Sequence, residues 1–182
     1  MMIEQPKSRH PKLEDFSYPL RTISNGYTFV TKYGNEIDLT FSKVGFSLED
    51  IIYYPEADID IYEFQFERRK FISKKHDIKV SLTILKGAIE YLNKNRVLFF
   101  TADSPTQKDL ELFKLYDRWY EKYVNKKYVT KLNRIVHLGT NNIYFSCYIR
   151  DDFIFSKNKV NSLFDILLLE IYPRSTLSEF NI

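Results

Sequence analysis

From residue 26 onward the apolar and polar positions fall into recognisable periods. Tyr27 to Tyr33 is rich in aromatic and β-branched residues, Gly34-Asn35 is a turn signal, and Ile37, Leu39 and Phe41 alternate with Asp38, Thr40 and Ser42. Gly26 to Lys43 therefore reads as a hairpin with one wet face. Ser47 can cap a short helical piece, with Glu49 and Asp50 at its positive start, before Pro55 stops it. Tyr62, Phe64 and Phe66 then alternate with Glu63, Gln65 and Glu67, the mark of a third half-buried strand. Between Asp77 and Asn93, Val80, Ile84, Ala88 and Tyr91 or Leu92 recur at three- and four-residue spacing, which predicts a helix.

Val97 to Phe100 is a short continuous apolar run, as expected of a strand buried on both faces. Ser104-Pro105-Thr106-Gln107 sets a capping hydroxyl, a first-turn proline and a capping-box glutamine in order. A helix is expected from there to about Val124, its stripe made by Leu110, Phe113, Tyr116, Tyr120 and Tyr123. Arg134 to Leu138 and Ile143 to Ile149 flank Gly139-Thr140-Asn141-Asn142 as a second hairpin, and Leu163 to Tyr172 predicts a last helix stopped at Pro173. The order is hairpin, strand, helix, strand, helix, hairpin, C-terminal helix. Hairpins pair antiparallel and the strand-helix-strand step needs a parallel right-handed crossover. The fold class expected is α+β: a single mixed, mostly antiparallel sheet packed with two main helices. Residues 1–17 read as a tail and 18–182 as one domain.

Composition sharpens this in three ways. With 182 residues, 44% hydrophobic and 16% aromatic, the chain has ample material for one core and is neither disordered nor collagenous. Cys147 has no partner for an internal disulfide, the three histidines are scattered, and Met1 to Phe16 holds no apolar run. A cytoplasmic protein without signal peptide, membrane span or metal is expected. Charge is uneven although the net value is only +3. Phe46 to Glu67 carries seven carboxylates and no base. Arg68 to Lys79 carries Arg68, Arg69, Lys70, Lys74, Lys75 and Lys79 against Asp77, and Arg118 to Arg134 carries Arg118, Lys122, Lys126, Lys127, Lys131 and Arg134 against Glu121. These two basic blocks are either solvated faces or the two walls of one anion-binding surface.

Reaction-bearing motifs are scarce. The sequence contains no phosphate loop, dinucleotide fingerprint, nucleophile elbow or His-Glu-x-x-His pair. Asp77 reads as a helix cap and Thr83 as a residue bonding back to the preceding turn. In a functional version, Arg68, Arg69, Lys75 and Lys79 gather at that helix start, with Arg118 from the second block, to hold an anionic group. Tyr116 is a core aromatic or an acid, and Glu63 and Glu67 are strand-edge carboxylates or general bases. Cys147, between Phe145 and Ile149 in the alternation, reads as a buried small hydrophobe.

The element order over about Gly26 to Arg150 resembles the GNAT acetyltransferase fold. That resemblance implies coenzyme A bound at the start of the helix after the central strand, with Tyr116 protonating the departing thiolate. In that family a glycine-containing loop lets backbone amides reach the pyrophosphate, and the matching stretch here, Arg68 to Thr83, contains no glycine. Asp77, Lys79, Val80 and Thr83, followed by the aromatic helix Phe113 to Trp119, are similar to small bacterial domain families of unknown function. This likeness implies no activity, and a bacterial toxin-antitoxin or phage-defence setting is an expectation attached to it. The leading expectation is a non-catalytic protein that binds a protein partner, a second copy of itself or an anionic ligand. The alternatives are a degenerate acyltransferase binding coenzyme A and, least favoured, a nucleic-acid binder using both basic blocks.

Overall fold

Hydrophobic alternation along the strands settles which side of the sheet each helix covers. The structure is a computed structural model and describes residues 16–44, 60–75, 77–102 and 108–180. Its strands are β1 (Arg21–Ile23), β2 (Gly26–Val30), β3 (Glu36–Lys43), β4 (Asp60–Lys70), β5 (Arg96–Ala102), β6 (Val129–Leu138), β7 (Asn141–Arg150) and β8 (Thr176–Glu179). Its helices are α1 (Ile78–Tyr91), α2 (Asp109–Tyr123) and α3 (Lys157–Ile171). All eight strands join one mixed sheet in the order β1-β2-β3-β4-β5-β7-β6-β8, with β4 and β5 parallel and the other pairs antiparallel. The fold is thus α+β, as the periodicity predicts.

β5 runs through the middle and is buried on both sides. Leu98, Phe100 and Ala102 pack with α1 and α2 against Phe29, Leu39, Phe64 and Phe113. Val97 and Phe99 point the other way, into Phe145, Phe164, Leu167 and Leu168 beneath α3. Each fully buried Phe or Leu of these clusters contributes about 1.5–3 kcal/mol of transfer free energy. α1 and α2 therefore share one face of the sheet and α3 covers part of the opposite one. Among the described residues no helix is long and apolar enough to cross a membrane.

Several expectations are corrected. The second face of the first hairpin is not wet throughout: Asp38 is buried, between its ladder neighbours Thr28 and Glu67 and close to Arg69. β4 extends to Lys70, three residues past the alternation that ends at Glu67, so Arg68 to Lys70 belong to the strand. α2 starts at Asp109, and its cap residue Lys108 makes no side-chain capping bond. The proposed caps Ser104 to Gln107, and the helical piece from Ser47 to Pro55, lie outside the described residues. The second hairpin closes over Gly139-Thr140 alone, with Leu138 opposite Asn141, and Gly139 takes the left-handed φ of 60° that so tight a turn demands. α3 begins six residues earlier than the predicted Leu163, because Ser156 caps it through the Lys159 amide. β1 and β8 are additions that no periodicity signals.

Candidate anion-binding surface

The connection from β4 to α1 is fixed by two polar clamps. In the first, the buried Asn35 accepts hydrogen bonds from the amides of Ile72 (2.7 Å) and Ser73 (2.9 Å) and donates one to the Ser73 carbonyl (2.9 Å). The β2–β3 turn therefore holds residues 71–75 as if they were part of it. In the second, Asp77 caps α1 by accepting from the Lys79 amide, while the Tyr18 hydroxyl donates to the other Asp77 oxygen in a short hydrogen bond. That same hydroxyl accepts from the Lys32 amide at 2.9 Å. Thr83 bonds back to the Lys79 carbonyl at 2.6 Å and accepts from the Tyr18 amide at 2.8 Å. Partial burial, with Asp77 next, raises the Tyr18 pKa above its ordinary 10.0, so this hydroxyl keeps its proton and goes on donating. Asn35→Ala is expected to cost about 1–3 kcal/mol in urea unfolding and to accelerate hydrogen exchange at the Ile72 and Ser73 amides.

Around these clamps stand Lys32, Arg68, Lys74, Lys75 and Lys79, none with a carboxylate in ion-pair range among the described residues. Aromatic rings order four of them: Lys32 and Lys75 flank Tyr33 at 4.9 and 5.4 Å, Arg68 lies over Phe71 at 5.2 Å, and Lys79 lies over Tyr18 at 5.7 Å. Two of the sequence candidates, Lys75 and Lys79, thus stand with Lys32 around Tyr33 and Tyr18, with Lys74 next to Lys75 in the chain and Arg68 over Phe71 where β4 ends. Arg69 does not join them, because Glu36 holds its guanidinium at 2.7 Å and Asp38 approaches at 3.7 Å. Arg118 is exposed but distant. α2 starts at the end of the sheet where β4 and β5 finish, and Arg118 lies about 13 Å further along its axis. Within the second block, Lys131 and Arg134 are buried in ion pairs on β6, two strands beyond β5 in the sheet. Those two side chains are therefore not free to join Lys75 and Lys79 in one anion-binding surface.

The catalytic alternatives are separated as well. β4 and β5 pair from Asp60/Arg96 to Glu63/Phe99 and then part. Phe66 and Phe100 lie parallel across the gap at 6.4 Å, and Tyr116 meets them edge-on at 5.6 and 4.8 Å. Beside these rings, between α1, α2 and the sheet, lies an apolar cavity of about 30 Å³. Burial pushes the Tyr116 phenol well up from 10.0. Phe66 faces Tyr116, so Glu63 and Glu67, at odd positions of the same strand, project from the other side of the sheet, where Glu63 raises the Tyr172 phenol behind the larger effect of burial. Tyr116 and Glu63 cannot act on one substrate atom.

A second cavity, an open polar cleft of about 300 Å³, lies beside β6 between α2, the start of α3 and the end of β8. Lys131, 1% exposed, is bonded to Asp117 at 2.8 Å beneath the rings of Phe113, Tyr120 and Tyr148. Burial lowers the Lys131 pKa from 10.5, opposed by Asp117. Arg134, 4% exposed, is held by Asp165 at 2.5 Å, Asn161 at 2.6 Å and the Asn133 carbonyl at 2.8 Å. Both cations are already neutralised, which leaves the cleft without a net charge to attract a ligand. Cys147 is buried, and desolvation lifts its thiol to about 12, an inert state. Among the described residues no group of three or more His, Cys, Asp or Glu is placed to hold a metal ion.

Protein-family models, curated proteins and solved structures give no match to the chain. Sequence reasoning overlooked Tyr18, Lys32 and Asn35. Asn35 carried a signal, its place in a turn, but nothing local shows that its amide reaches a strand connection 38 residues away.

Proposed function

We propose that this protein is a non-catalytic binder of anionic ligands, and that the surface formed by Lys32, Arg68, Lys74, Lys75 and Lys79 is where it binds them. The observation that carries this reading is the grouping of Lys32, Lys75 and Lys79 around Tyr33 and Tyr18, without carboxylate partners among the described residues, beside backbone pinned by Asn35 at Ile72 and Ser73 and by Tyr18 at Asp77. Preordered cations lose little entropy on meeting a phosphate or carboxylate, and charge-assisted bonds to them are the strong kind. A bacterial cytoplasmic setting belongs to the same reading.

A degenerate acyltransferase is the second reading, favoured by the parting of β4 and β5 beside Tyr116. Two features weigh against it. The Asp77 carboxylate already occupies the start of α1, where a coenzyme pyrophosphate would need the free amides and positive dipole. The gap between the strands is filled by Phe66 and Phe100.

Inorganic tripolyphosphate is the simplest probe. At about 100 times its dissociation constant a ligand specific for the folded state adds about 2.7 kcal/mol of stability, so Tm should rise, and the rise should shrink with added salt. Lys74→Glu/Lys75→Glu/Lys79→Glu should abolish the shift. Absence of any shift in the parent protein at millimolar tripolyphosphate would refute the proposal. A larger shift with coenzyme A, insensitive to the triple substitution, would favour the acyltransferase.

A further inference from the structure

The cationic surface also displays apolar side chains. Phe71 is 48% exposed and Ile72 59% on the connection that carries Lys74 and Lys75, and Ile78 is 47% exposed in the first turn of α1 beside Lys79. The backbone at Ile72 is fixed. Asn35 holds the Ile72 and Ser73 amides, and the Ile72 side chain lies so close to Gly34 that a Cβ there would be 3.0 Å from its Cδ1. Gly34 has φ 79°, so the turn beneath Ile72 is fixed by its backbone as well.

We propose that this surface docks onto an anionic lipid bilayer, with Lys32, Arg68, Lys74, Lys75 and Lys79 at the headgroup phosphates and Phe71, Ile72 and Ile78 in the acyl boundary. The inference rests on the anion-binding reading and names the source of the anion. A soluble phosphate gains nothing from three exposed apolar side chains. A nucleic acid would use ring faces for stacking, and Ile72 and Ile78 offer none. An interface of basic residues around aliphatic and aromatic side chains is the composition that suits the membrane boundary, where both contributions act together. No spanning segment is needed, so the expectation of no membrane partner, which rested on the lack of such a segment, does not bear on a surface contact. Nothing in the local sequence pattern around Phe71 and Ile72 marks them as exposed.

Vesicle sedimentation tests it. The intact protein should pellet with phosphatidylserine-rich vesicles and at least about tenfold less with pure phosphatidylcholine. Ile72→Ser should weaken vesicle binding severalfold while leaving the tripolyphosphate shift unchanged. Ile78→Ser, at an exposed first-turn position, provides an independent variant with the same expected split. Lys74→Glu/Lys75→Glu/Lys79→Glu should lose both. No sedimentation with serine-rich vesicles, with the tripolyphosphate shift intact, overturns the lipid inference alone. Failure of both overturns the anion-binding reading too. Undiminished vesicle binding by the apolar variants, or retention of labelled RNA in place of vesicles, also sinks the lipid assignment.

Discussion

Asp117→Ala is expected to destabilise the protein by about 3–5 kcal/mol, read as a lower urea midpoint. Its carboxylate accepts from the Lys131 ammonium at 2.8 Å and from the Asn133 amide at 2.7 Å, and Ser146 in turn donates to Asn133 at 2.9 Å. Removing it leaves a lysine that is 1% exposed with no counter-ion and turns a satisfied network into a broken one. Asp117→Ala/Lys131→Met should recover much of the loss, because methionine fills the space under Phe113, Tyr120 and Tyr148 without a charge to solvate. A single substitution costing no more than a surface change, below about 0.5 kcal/mol, would mean that Lys131 escapes to solvent.

Alkali should unfold the protein cooperatively above pH 10. Tyr18, Tyr27, Tyr91, Tyr116, Tyr120, Tyr148 and Tyr172 all have phenols raised above 10.0, in each case chiefly by burial, Tyr91 to about 12. The folded state therefore keeps protons that the unfolded chain releases from about pH 10 upward. The unfolded state binds fewer protons there, and stability falls as pH rises. Their contribution is complete below pH 10 and is lost as pH passes through the folded values. Lys131 acts in the opposite sense: its folded pKa lies below 10.5, so between the two values stability rises with pH. One lysine against seven tyrosines leaves a small gain at most before the collapse. Far-ultraviolet circular dichroism and tyrosinate absorbance, followed together, should change at one midpoint, and Tyr148→Phe should move it upward. Tyrosines that titrate smoothly near pH 10 in a chain that stays folded would contradict this.

Strand and helix periods were legible in the sequence wherever one face is buried. Ile37/Leu39/Phe41, Tyr62/Phe64/Phe66 and the Val80 to Leu92 stripe all match observed elements. Pairings between distant elements were not. Lys131 looks like one more member of a basic run, and only the alternation of β6 against α2 reveals that it and Asn133 meet Asp117. Arg134 faces the other way, toward Asp165 on α3, 31 residues distant. The three residues of β1 and four of β8 are too short to establish any period. Among the site candidates, charge alone grouped Arg69 with Arg68, whereas strand alternation sends them to different neighbours.

Tyr120 shows what the end of the sheet does for the molecule in concentrated solution. β8 covers β6 only from Arg134 to His137, which would leave the backbone from Val129 onward open to recruitment by another chain. The Tyr120 hydroxyl donates to the Val129 carbonyl at 2.7 Å, and Arg134 takes the Asn133 carbonyl. A phenol and a guanidinium thus stand in for the missing strand. With a three-residue edge at the opposite side, the sheet offers little template for growth by edge pairing, a protection against aggregation written into side chains rather than into a longer β8.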